Sequence, residues 1–354
     1  MRNFITCARI SAVVSSTASV AAFSVRFPQD CSEVESMPSI KESQIAPAVL
    51  MIRPARFGVN AETAPSNAFQ RNDVEVNDPQ ALALQEFDVL VSSLQKQGVS
   101  VEVFDDTPEP WTPDAVFPGN WVSFHADGSV VLYPLLAPNR RWERRLDIIE
   151  ELQTQRGYKV QRIEDLTGAE LEGRFLEGTG SLVLDREHHV AYACLSPRTD
   201  IKMLREWAGK FEYETVEFHA VDKHSKAVYH TDVMMCIGDR FALLCLASIR
   251  SVKERRHIQR RLEETDHEII PITAQQMLDF AGNALQLGTR QGGSVLAMSM
   301  RAERSLTPTQ RLSMEKYTRI VSSPVNIIET CAGGSVRCML AEIFLPRTGA
   351  SDRA

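Results

Sequence analysis

The stretch Trp121–Leu135 reads WVSFHADGSVVLYPL, and the fold prediction starts from it. Two runs rich in β-branched and aromatic residues flank Asp127-Gly128, a dipeptide that favours the tight turn of a β-hairpin. A helix is predicted next over Arg140–Gln155, and a third strand over Tyr158–Ile163. The predicted unit is therefore strand, strand, helix, strand.

The same order of elements recurs along the chain at a spacing of roughly 50 to 60 residues, which is typical of radial repeats. The fourth unit is predicted to end with a strand over Val325–Thr330, and the last strands, around Val336–Phe344, carry Cys338. We predict an α/β fold, a five-bladed α/β-propeller of strand-strand-helix-strand modules around a central channel. A doubly wound α/β sheet is the alternative, but its strands are mostly parallel and would lack so many tight hairpins.

Composition describes an ordinary globular chain. The 354 residues are 44% hydrophobic and 24% charged, with a formal net charge of −7. That balance argues against a nucleic-acid surface, and no run is long and apolar enough to span a bilayer. The seven cysteines include no Cys-x-x-Cys pair, so neither a zinc ribbon nor a disulfide framework is indicated. We expect reduced thiols, and neither a metal nor a cofactor.

The N-terminal segment differs from the rest of the chain. Residues 1–28 contain no acidic side chain, and arginines are scattered among Ser, Ala, Val and Thr, as in a transit peptide. We expect a disordered, transit-like segment over 1–45, a single catalytic domain over 46–348 and a tail over 349–354. A mitochondrial or other organelle matrix is the predicted location, with the cytoplasm as the alternative.

One cysteine differs from the others in its surroundings. Cys338 follows Gly333-Gly334-Ser335, where glycines allow a ligand close to the backbone and nearby N–H groups are expected to lower the thiol pKa. The remaining cysteines fall mainly in apolar strands or in the N-terminal segment and fit a structural role. Cys338 is therefore the candidate nucleophile.

An imidazole and two carboxylates lie upstream of this thiol. His230-Thr231-Asp232 is predicted to lie in a strand, so that His230 and Asp232 face the same ligand. Glu177 precedes a flexible, glycine-rich turn. A thiolate can attack a planar carbon bonded to several nitrogens while an imidazole carries protons and carboxylates hold N–H groups. The set suits a guanidinium or ureido carbon.

Jointly these residues resemble the guanidino-group-modifying, or amidinotransferase-like, superfamily, whose members share the five-bladed α/β-propeller called the pentein fold. The resemblance covers about Ala48 to Pro346, and the repeat pattern agrees with it. In its short sequence motifs the chain is most similar to the citrulline-utilisation hydrolase group. Four stretches carry that similarity: Met51–Pro54, Asn67–Gln70, Phe117–Trp121 and Ala137–Arg141.

The resemblance implies a role for each catalytic candidate. Cys338 looks like the nucleophile, and His230 looks like the general acid/base. Glu177 looks like the carboxylate that pairs with His230 and the reacting nitrogen. Asp232 looks like a second contact to the nitrogen-rich group.

The resemblance also implies which residues bind the amino-acid end of the substrate. Asp114 resembles the residue that binds an α-amino group. Arg140 and Arg198 resemble the pair that clamps an α-carboxylate, which guanidinium forks bind through two hydrogen bonds. The neighbouring Arg141 fits the pattern as well as Arg140 does.

Asn120 departs from the family pattern, because relatives that bind a guanidinium cation usually carry Asp there. A buried cation needs a countercharge, which an amide lacks, whereas an amide offers a neutral ureido group both a donor and an acceptor. Asn120 therefore favours citrulline over arginine. The alternative is a turn residue with no ligand role.

We predict a cysteine-dependent hydrolase that converts citrulline to ornithine, carbon dioxide and ammonia. Arginine deiminase, dimethylarginine dimethylaminohydrolase and amidinotransferase activities are the alternatives within the superfamily. A non-catalytic binding module on the same fold should lack the Cys, His and carboxylate set. The expected partner is a small ureido or guanidino amino acid, with no nucleic acid and no membrane, and self-association is left open.

Overall fold

A computed structural model describes residues 42–71, 73 and 76–348 of the protein. The predicted tail and most of the predicted transit-like segment lie outside these residues. The end of that segment is described, and Gln44 is buried in it. The Gln44 amide donates to the carbonyl oxygens of Leu184 (3.0 Å) and Ile237 (3.3 Å). The folded domain therefore begins no later than residue 42, slightly before the predicted boundary.

Fifteen strands occur in the described residues. They are β1 (Ala48–Arg53), β2 (Ser100–Asp105), β3 (Val122–Phe124), β4 (Ser129–Leu132), β5 (Arg162–Asp165), β6 (Leu182–Asp185), β7 (Val190–Cys194), β8 (Glu214–Phe218), β9 (Met235–Ile237), β10 (Phe241–Leu244), β11 (Glu268–Pro271), β12 (Leu285–Gly288), β13 (Ser294–Ser299), β14 (Arg319–Ser323) and β15 (Ala341–Ile343).

The described part of the chain also contains nine α-helices. They are α1 (Pro79–Lys96), α2 (Leu146–Thr154), α3 (Gly178–Ser181), α4 (Ile201–Phe211), α5 (Val252–Glu264), α6 (Ala274–Leu278), α7 (Met300–Ser305), α8 (Pro308–Glu315) and α9 (Asn326–Ala332). None of the helices among the described residues has the length and apolar character needed to cross a membrane.

The strands pair as five three-stranded units: β15-β1-β2, β3-β4-β5, β6-β7-β8, β9-β10-β11 and β12-β13-β14. In every unit the first pair is antiparallel and the second pair is parallel. The first two units join through β15 and β3 into one six-stranded sheet, and the other three are separate sheets. The prediction of a mixed α/β fold is confirmed.

The hairpin between β3 and β4 shows how local sequence sets a unit. Gly128 has a φ of +84°, which glycine adopts without strain. Its N–H donates to the carbonyl oxygen of His125 (3.0 Å), while the Asp127 carboxylate accepts from the N–H of Ser129 (2.9 Å). Val122 therefore pairs with Leu132 across the ladder. The predicted turn at Asp127-Gly128 lies where the sequence places it.

Helices cover the sheets with one apolar face each, as α4 illustrates. Its N-cap, Asp200, accepts hydrogen bonds from two backbone N–H groups of the first turn. Leu204 and Trp207 are fully buried and pack in a cluster with Leu182 and Ala191 of the adjacent sheet. Each such side chain contributes about 1.5–3 kcal/mol on burial. Because apolar packing of this kind stabilises the sheets, the loops before the first strand of each unit can carry polar groups.

Two predicted elements are wrong. Val325–Thr330, predicted as a strand, forms most of α9, and the strand is the preceding β14. The Glu86 carboxylate on α1 accepts from the N–H groups of Ile327 and Ile328 at the start of α9 (3.0–3.1 Å), so a contact distant in sequence overrides β-branched propensity. The helix predicted over Arg140–Gln155 is a 3-10 helix followed by the shorter α2.

Candidate active site

The predicted catalytic residues and two predicted substrate-binding residues lie just before the first strands of their units. Asn120 precedes β3, Glu177 precedes β6, His230 and Asp232 precede β9, and Cys338 precedes β15. Short helical turns lie at these places: Pro118–Asn120, Gly178–Ser181, Thr231–Val233 and Arg337–Met339. The repeated unit thus brings distant parts of the sequence to equivalent positions, and all five side chains are buried.

The prediction that His230, Asp232 and Cys338 lie in strands is wrong. Asp232 and Cys338 lie in 3-10 turns that precede β9 and β15, and His230 directly precedes the first of these turns. The turn after His230 is tied to the preceding unit. The Thr231 hydroxyl donates to the carbonyl oxygen of Ser181 (2.6 Å) and accepts from the N–H of Cys194 (2.7 Å). These bonds span 37 and 50 residues, so a local pattern could not reveal them.

The Cys338 thiol lies between a carboxylate and an amide. Its Sγ donates to Oδ2 of Asp232 (3.1 Å) and accepts from Nδ2 of Asn283 (3.2 Å). Burial and the Asp232 carboxylate raise the pKa of Cys338 well above its ordinary value, and the N–H of Ser335 opposes them only in part. The Ser335 N–H in this loop thus lowers the thiol pKa as predicted, but burial and Asp232 outweigh it, so the net shift is upward.

The imidazole of His230 is held by Glu177, with Nε2 lying 2.8 Å from Oε2. Burial raises the pKa of Glu177, but Arg198, His230 and Arg140 together lower it well below its usual range. Burial lowers the pKa of His230 despite the carboxylate. An ionised carboxylate only accepts, so Nε2 carries the proton of the neutral ring and Nδ1 is free to accept one.

Among the residues that the structure describes, three predicted site residues each have a buried polar atom without a hydrogen-bond partner: Oδ1 of Asp114, Oδ1 of Asp232 and Nδ2 of Asn120. Asn120 Oδ1 accepts from Nη1 of Arg140 (3.0 Å), and a guanidinium can only donate. That bond fixes the orientation of the amide, so its N–H₂ group is the unpartnered end. Buried polar groups are normally paired, and these three therefore mark where a ligand would bind.

Both predicted clamp arginines are buried and already paired. Arg140 forms two hydrogen bonds with Glu143 (2.8 and 2.9 Å) in addition to its bond with Asn120. Arg198 donates to Glu177 (3.2 Å) and to Ser66 (2.8 Å). These contacts position Asn120 and Glu177, while leaving some guanidinium N–H groups for a ligand.

Arg141, the alternative to Arg140, does not reach the site. It is partly exposed, donates to the carbonyl oxygen of Leu135 (3.1 Å) and pairs with Glu170. The structure therefore distinguishes two neighbouring arginines that the sequence could not.

A narrow cavity lies among these groups. It is lined by Thr63, Asn67, Asp114, Phe117, Asn120, Arg140, Arg198, Tyr229, His230, Ala332, Gly334 and Cys338. The predicted nucleophile and the predicted base therefore share one cavity. Asp232 and Glu177 reach it through their bonds to Cys338 and His230.

The segment around residues 60–70 encloses the cavity and was not assigned from the sequence. Asn60 donates to Asp114 (2.7 Å), and Asn67 donates to the carbonyl oxygen of Ala332 (3.0 Å). Thr63 also bonds to Asp114 (3.3 Å). The stretch Asn67–Gln70 was noted only for its resemblance to relatives, and that was the one available signal.

Tyr229 is a further site residue that sequence patterns did not single out. Its ring lies 4.6 Å from that of His230, and the guanidinium of Arg198 lies 4.9 Å from its centroid. Its hydroxyl donates to the carbonyl oxygen of Gly333 (2.6 Å) in the loop before the nucleophile. Tyr229 thus links the base, an arginine and the nucleophile loop.

Gly180 lies against the side chains of Asn120 and His230, where there is no room for a larger residue. A Cβ at this position would lie 2.5 Å from Nδ2 of Asn120 and 2.6 Å from Nδ1 of His230. We expect Gly180→Ala to lower kcat/KM about 100-fold, because a shift of about 1 Å in reacting groups has an effect of this size. Steady-state kinetics would measure the loss.

Gly209→Ala is the matched control for Gly180→Ala. Gly209 lies in α4, and a Cβ there would meet no atom within 4 Å. We expect this variant to keep the wild-type activity. Equal activities for the two variants would show that the space beside Asn120 and His230 is not required.

Among the residues that the structure describes, no cluster of three or more His, Cys, Asp or Glu side chains could hold a metal ion.

Comparisons with solved structures show which known fold the chain resembles. The cyanobacterial arginine dihydrolase ArgZ superposes with a TM-score of 0.66 at 18% identity, covering 85% of this chain and 41% of ArgZ. This chain therefore spans less than half of full-length ArgZ. The N-terminal domain of ArgZ, solved covalently bound to a reaction intermediate, superposes on this chain with a TM-score of 0.65 at 18% identity. The match covers 84% of this chain and 99% of that domain.

A dimethylarginine dimethylaminohydrolase, solved as an adduct with S-methyl-L-thiocitrulline, superposes with a TM-score of 0.57 at 17% identity. The match covers 84% of this chain and all of that one. A search of curated protein sequences found no significant match. The fold and the site thus define a pentein enzyme of the guanidino-group-modifying superfamily, as predicted.

The family model of the eukaryotic N,N-dimethylarginine dimethylhydrolases matches residues 53–345. The chain belongs to this family. That membership confirms the predicted enzyme class, a hydrolase of C–N bonds in linear amidines and related compounds.

Proposed function

We propose that the protein hydrolyses the ureido group of citrulline to ornithine, carbon dioxide and ammonia, with Cys338 as the nucleophile. The observation that carries the choice of substrate is the unpartnered Nδ2 of Asn120, a buried donor whose orientation Arg140 fixes. The choice of nucleophile rests on Cys338 sharing a cavity with a neutral histidine base.

The donor on Asn120 discriminates between two related groups. A ureido group has a carbonyl oxygen that can accept from Nδ2, as well as N–H groups that can donate to Oδ1 of Asp232. A guanidinium has donors only, so it would leave the Asn120 donor buried without a partner. An unmade buried hydrogen bond costs about 1–3 kcal/mol. The neutral ureido group therefore fits the pair of atoms better.

The amino-acid end of citrulline fits the other side of the cavity. Its α-ammonium would meet the unpartnered Oδ1 of Asp114, whose other oxygen is bonded to Asn60 and Thr63. Burial raises the pKa of Asp114, although Arg140 opposes it, and a bound cation would stabilise the ionised form. Free N–H groups of Arg140 and Arg198 are available to the α-carboxylate.

The first chemical step forms a bond between Sγ of Cys338 and the ureido carbon. A substrate N–H donates to Oδ1 of Asp232, and the proton of the Cys338 thiol, which lies against Oδ2, passes to Nδ1 of His230. The sulfur attacks, and the Asn120 N–H stabilises the negative charge that develops on the ureido oxygen. His230 then returns the proton to the departing ornithine amine, leaving a carbamoyl thioester.

The second step releases the enzyme. His230 removes a proton from water, which attacks the thioester carbon, and the sulfur leaves and is protonated again. The product is carbamic acid, which breaks down to carbon dioxide and ammonia. Release of ammonia before ornithine would give the same three products through a different thioester.

Arginine or dimethylarginine is the second candidate substrate. The unpartnered oxygens of Asp114 and Asp232 could both accept from a cationic substrate, and the family is that of the dimethylarginine hydrolases. An amidinotransferase would require an acceptor amine to accelerate product formation over water. The Asn120 donor argues against all three.

A direct comparison of substrates tests the proposal. We expect kcat/KM for citrulline to exceed that for arginine and for dimethylarginine by at least about 100-fold, the effect of one transition-state donor. Ornithine and ammonia release would be measured at equal substrate concentrations, with and without an added amine. A higher kcat/KM for either guanidino substrate would reject citrulline as the substrate.

We also propose that the five units close around a common axis as the blades of a propeller. Their equivalent strand orders, and the occurrence of a predicted site residue before the first strand of four of them, support this arrangement. An experimental structure in which the first strands of the five units do not face one axis would contradict it.

A further inference from the structure

Four of the five units contribute a predicted catalytic or substrate-binding residue from the loop before their first strand. The fifth, β12-β13-β14, was assigned none. The residue at the corresponding place in this unit is Asn283, two positions before β12, and its side chain is completely buried.

Asn283 contacts the nucleophile and its surroundings at three points. Its Nδ2 lies 3.2 Å from Sγ of Cys338 and 3.1 Å from the carbonyl oxygen of Asp232. Its Oδ1 accepts from the N–H of Arg337 (3.0 Å). One amide therefore joins the sulfur, the loop of its carboxylate partner and the turn that carries the sulfur.

The orientation of this amide follows from its partners. The backbone N–H of Arg337 can only donate, and the backbone carbonyl of Asp232 can only accept. Oδ1 must therefore face Arg337, and the N–H₂ group must face Asp232 and the sulfur. With two hydrogens on Nδ2, one can donate to the carbonyl oxygen and the other to Sγ.

We propose that Asn283 is a further catalytic residue, which holds the Cys338 sulfur in place and donates a hydrogen bond to its thiolate during attack. This assignment rests on the proposed function, in which Cys338 is the nucleophile. At rest the thiol donates to Asp232 and accepts from Asn283. Once the thiol proton has left, the N–H₂ group of Asn283 is the side-chain donor that faces the sulfur, beside the backbone N–H of Ser335.

The physical reason is the balance of charge around the sulfur. Burial of the sulfur and the adjacent Asp232 carboxylate both disfavour a thiolate. A neutral donor in contact with Sγ favours the charged form without adding a charge that would disturb the carboxylates nearby. A hydrogen bond to a charged group is worth about 1.5–3 kcal/mol.

Two substitutions separate this role from a purely structural one. Asn283→Asp preserves the shape and the acceptor for the Arg337 N–H, but it places an oxygen where the donor touches the sulfur. Asn283→Ala removes the donor without adding a charge. Gln286→Ala is the control, because Gln286 is a buried amide on β12 whose Oε1 likewise accepts a backbone N–H, from Asp239 (2.7 Å), away from the cavity.

The measurement is the rate at which iodoacetamide alkylates Cys338 in the full-length protein, followed by peptide mapping across a range of pH without substrate. We expect the rate to rise with pH as the thiolate forms. The profiles of Asn283→Asp and Asn283→Ala should shift upward by about one pH unit or more, the expected effect of losing a hydrogen bond to the charged form. The profile of Gln286→Ala should match the wild type.

Wild-type profiles for both Asn283 variants would overturn the assignment, even if either variant were less stable. Because the measurement needs no substrate, it is independent of the choice of citrulline. A shifted profile in a protein that does not hydrolyse citrulline would support Asn283 and reject the substrate. An unshifted profile in a protein that does hydrolyse citrulline would reject the role of Asn283 and support the substrate.

Discussion

Cys338→Ala is expected to lower kcat for citrulline by at least about 10⁴-fold, as the loss of a nucleophile does in enzymes that form covalent intermediates. The sulfur is the group proposed to bond to the ureido carbon, and water in the same cavity is a weaker nucleophile. Substrate binding should persist, because the unpartnered atoms of Asp114, Asn120 and Asp232 remain. Turnover assays and calorimetric titration with citrulline would measure the two effects separately.

Cys331→Ala is the control for this substitution. Cys331 is also a buried thiol, in α9 shortly before the nucleophile loop, and it does not line the cavity. We expect this variant to keep the wild-type kcat. Full turnover by Cys338→Ala would end the proposal of a cysteine nucleophile. Equal losses in the two variants would indicate a packing effect instead.

Asn120→Asp is expected to reverse the preference between ureido and guanidino substrates. One carboxylate oxygen would keep the bond to Arg140, and the other would replace the unpartnered donor with a charged acceptor. Loss of the donor should lower kcat/KM for citrulline about 10²–10³-fold, the usual effect of removing one such group. The new charge should raise kcat/KM for arginine, because it can pair with a guanidinium.

Asn120→Ala provides the comparison that isolates the charge. It removes the donor without adding an acceptor, so citrulline hydrolysis should fall while arginine hydrolysis should not rise. Both variants would be assayed with both substrates under the same conditions. An unchanged citrulline-to-arginine ratio in Asn120→Asp would show that Asn120 does not select the substrate.

Local sequence was sufficient to predict most of the repeat. The turn at Asp127-Gly128 is a short-range signal, and it lies where expected because glycine accepts its positive φ. The strand predicted at Val325–Thr330 failed for the opposite reason. Glu86 caps the start of α9 from 241 residues away, and no local pattern carries that information. Local sequence propensity therefore predicted the elements whose structure is set by residues nearby in sequence, and it failed where a residue distant in sequence sets the structure.

The sequence likewise predicted the site residues whose chemistry is distinctive, and it missed those that matter only because of a contact made on folding. Cys338, His230 and Glu177 have chemistry that is visible in any sequence, and the structure brings them to one cavity. Asn283 has ordinary chemistry and matters only because folding places it against a sulfur 55 residues away. The direction of the Cys338 pKa shift was missed because burial and Asp232 outweigh the Ser335 N–H.

The central claim is that the Cys338 sulfur bonds covalently to the ureido carbon of citrulline. Mass spectrometry of enzyme quenched with acid during turnover tests it directly. We predict a thioester adduct derived from the ureido group, mapped to the peptide that contains Cys338 and missing from Cys338→Ala. Citrulline turnover with Cys338 unmodified, or with the adduct on another residue, would contradict the claim.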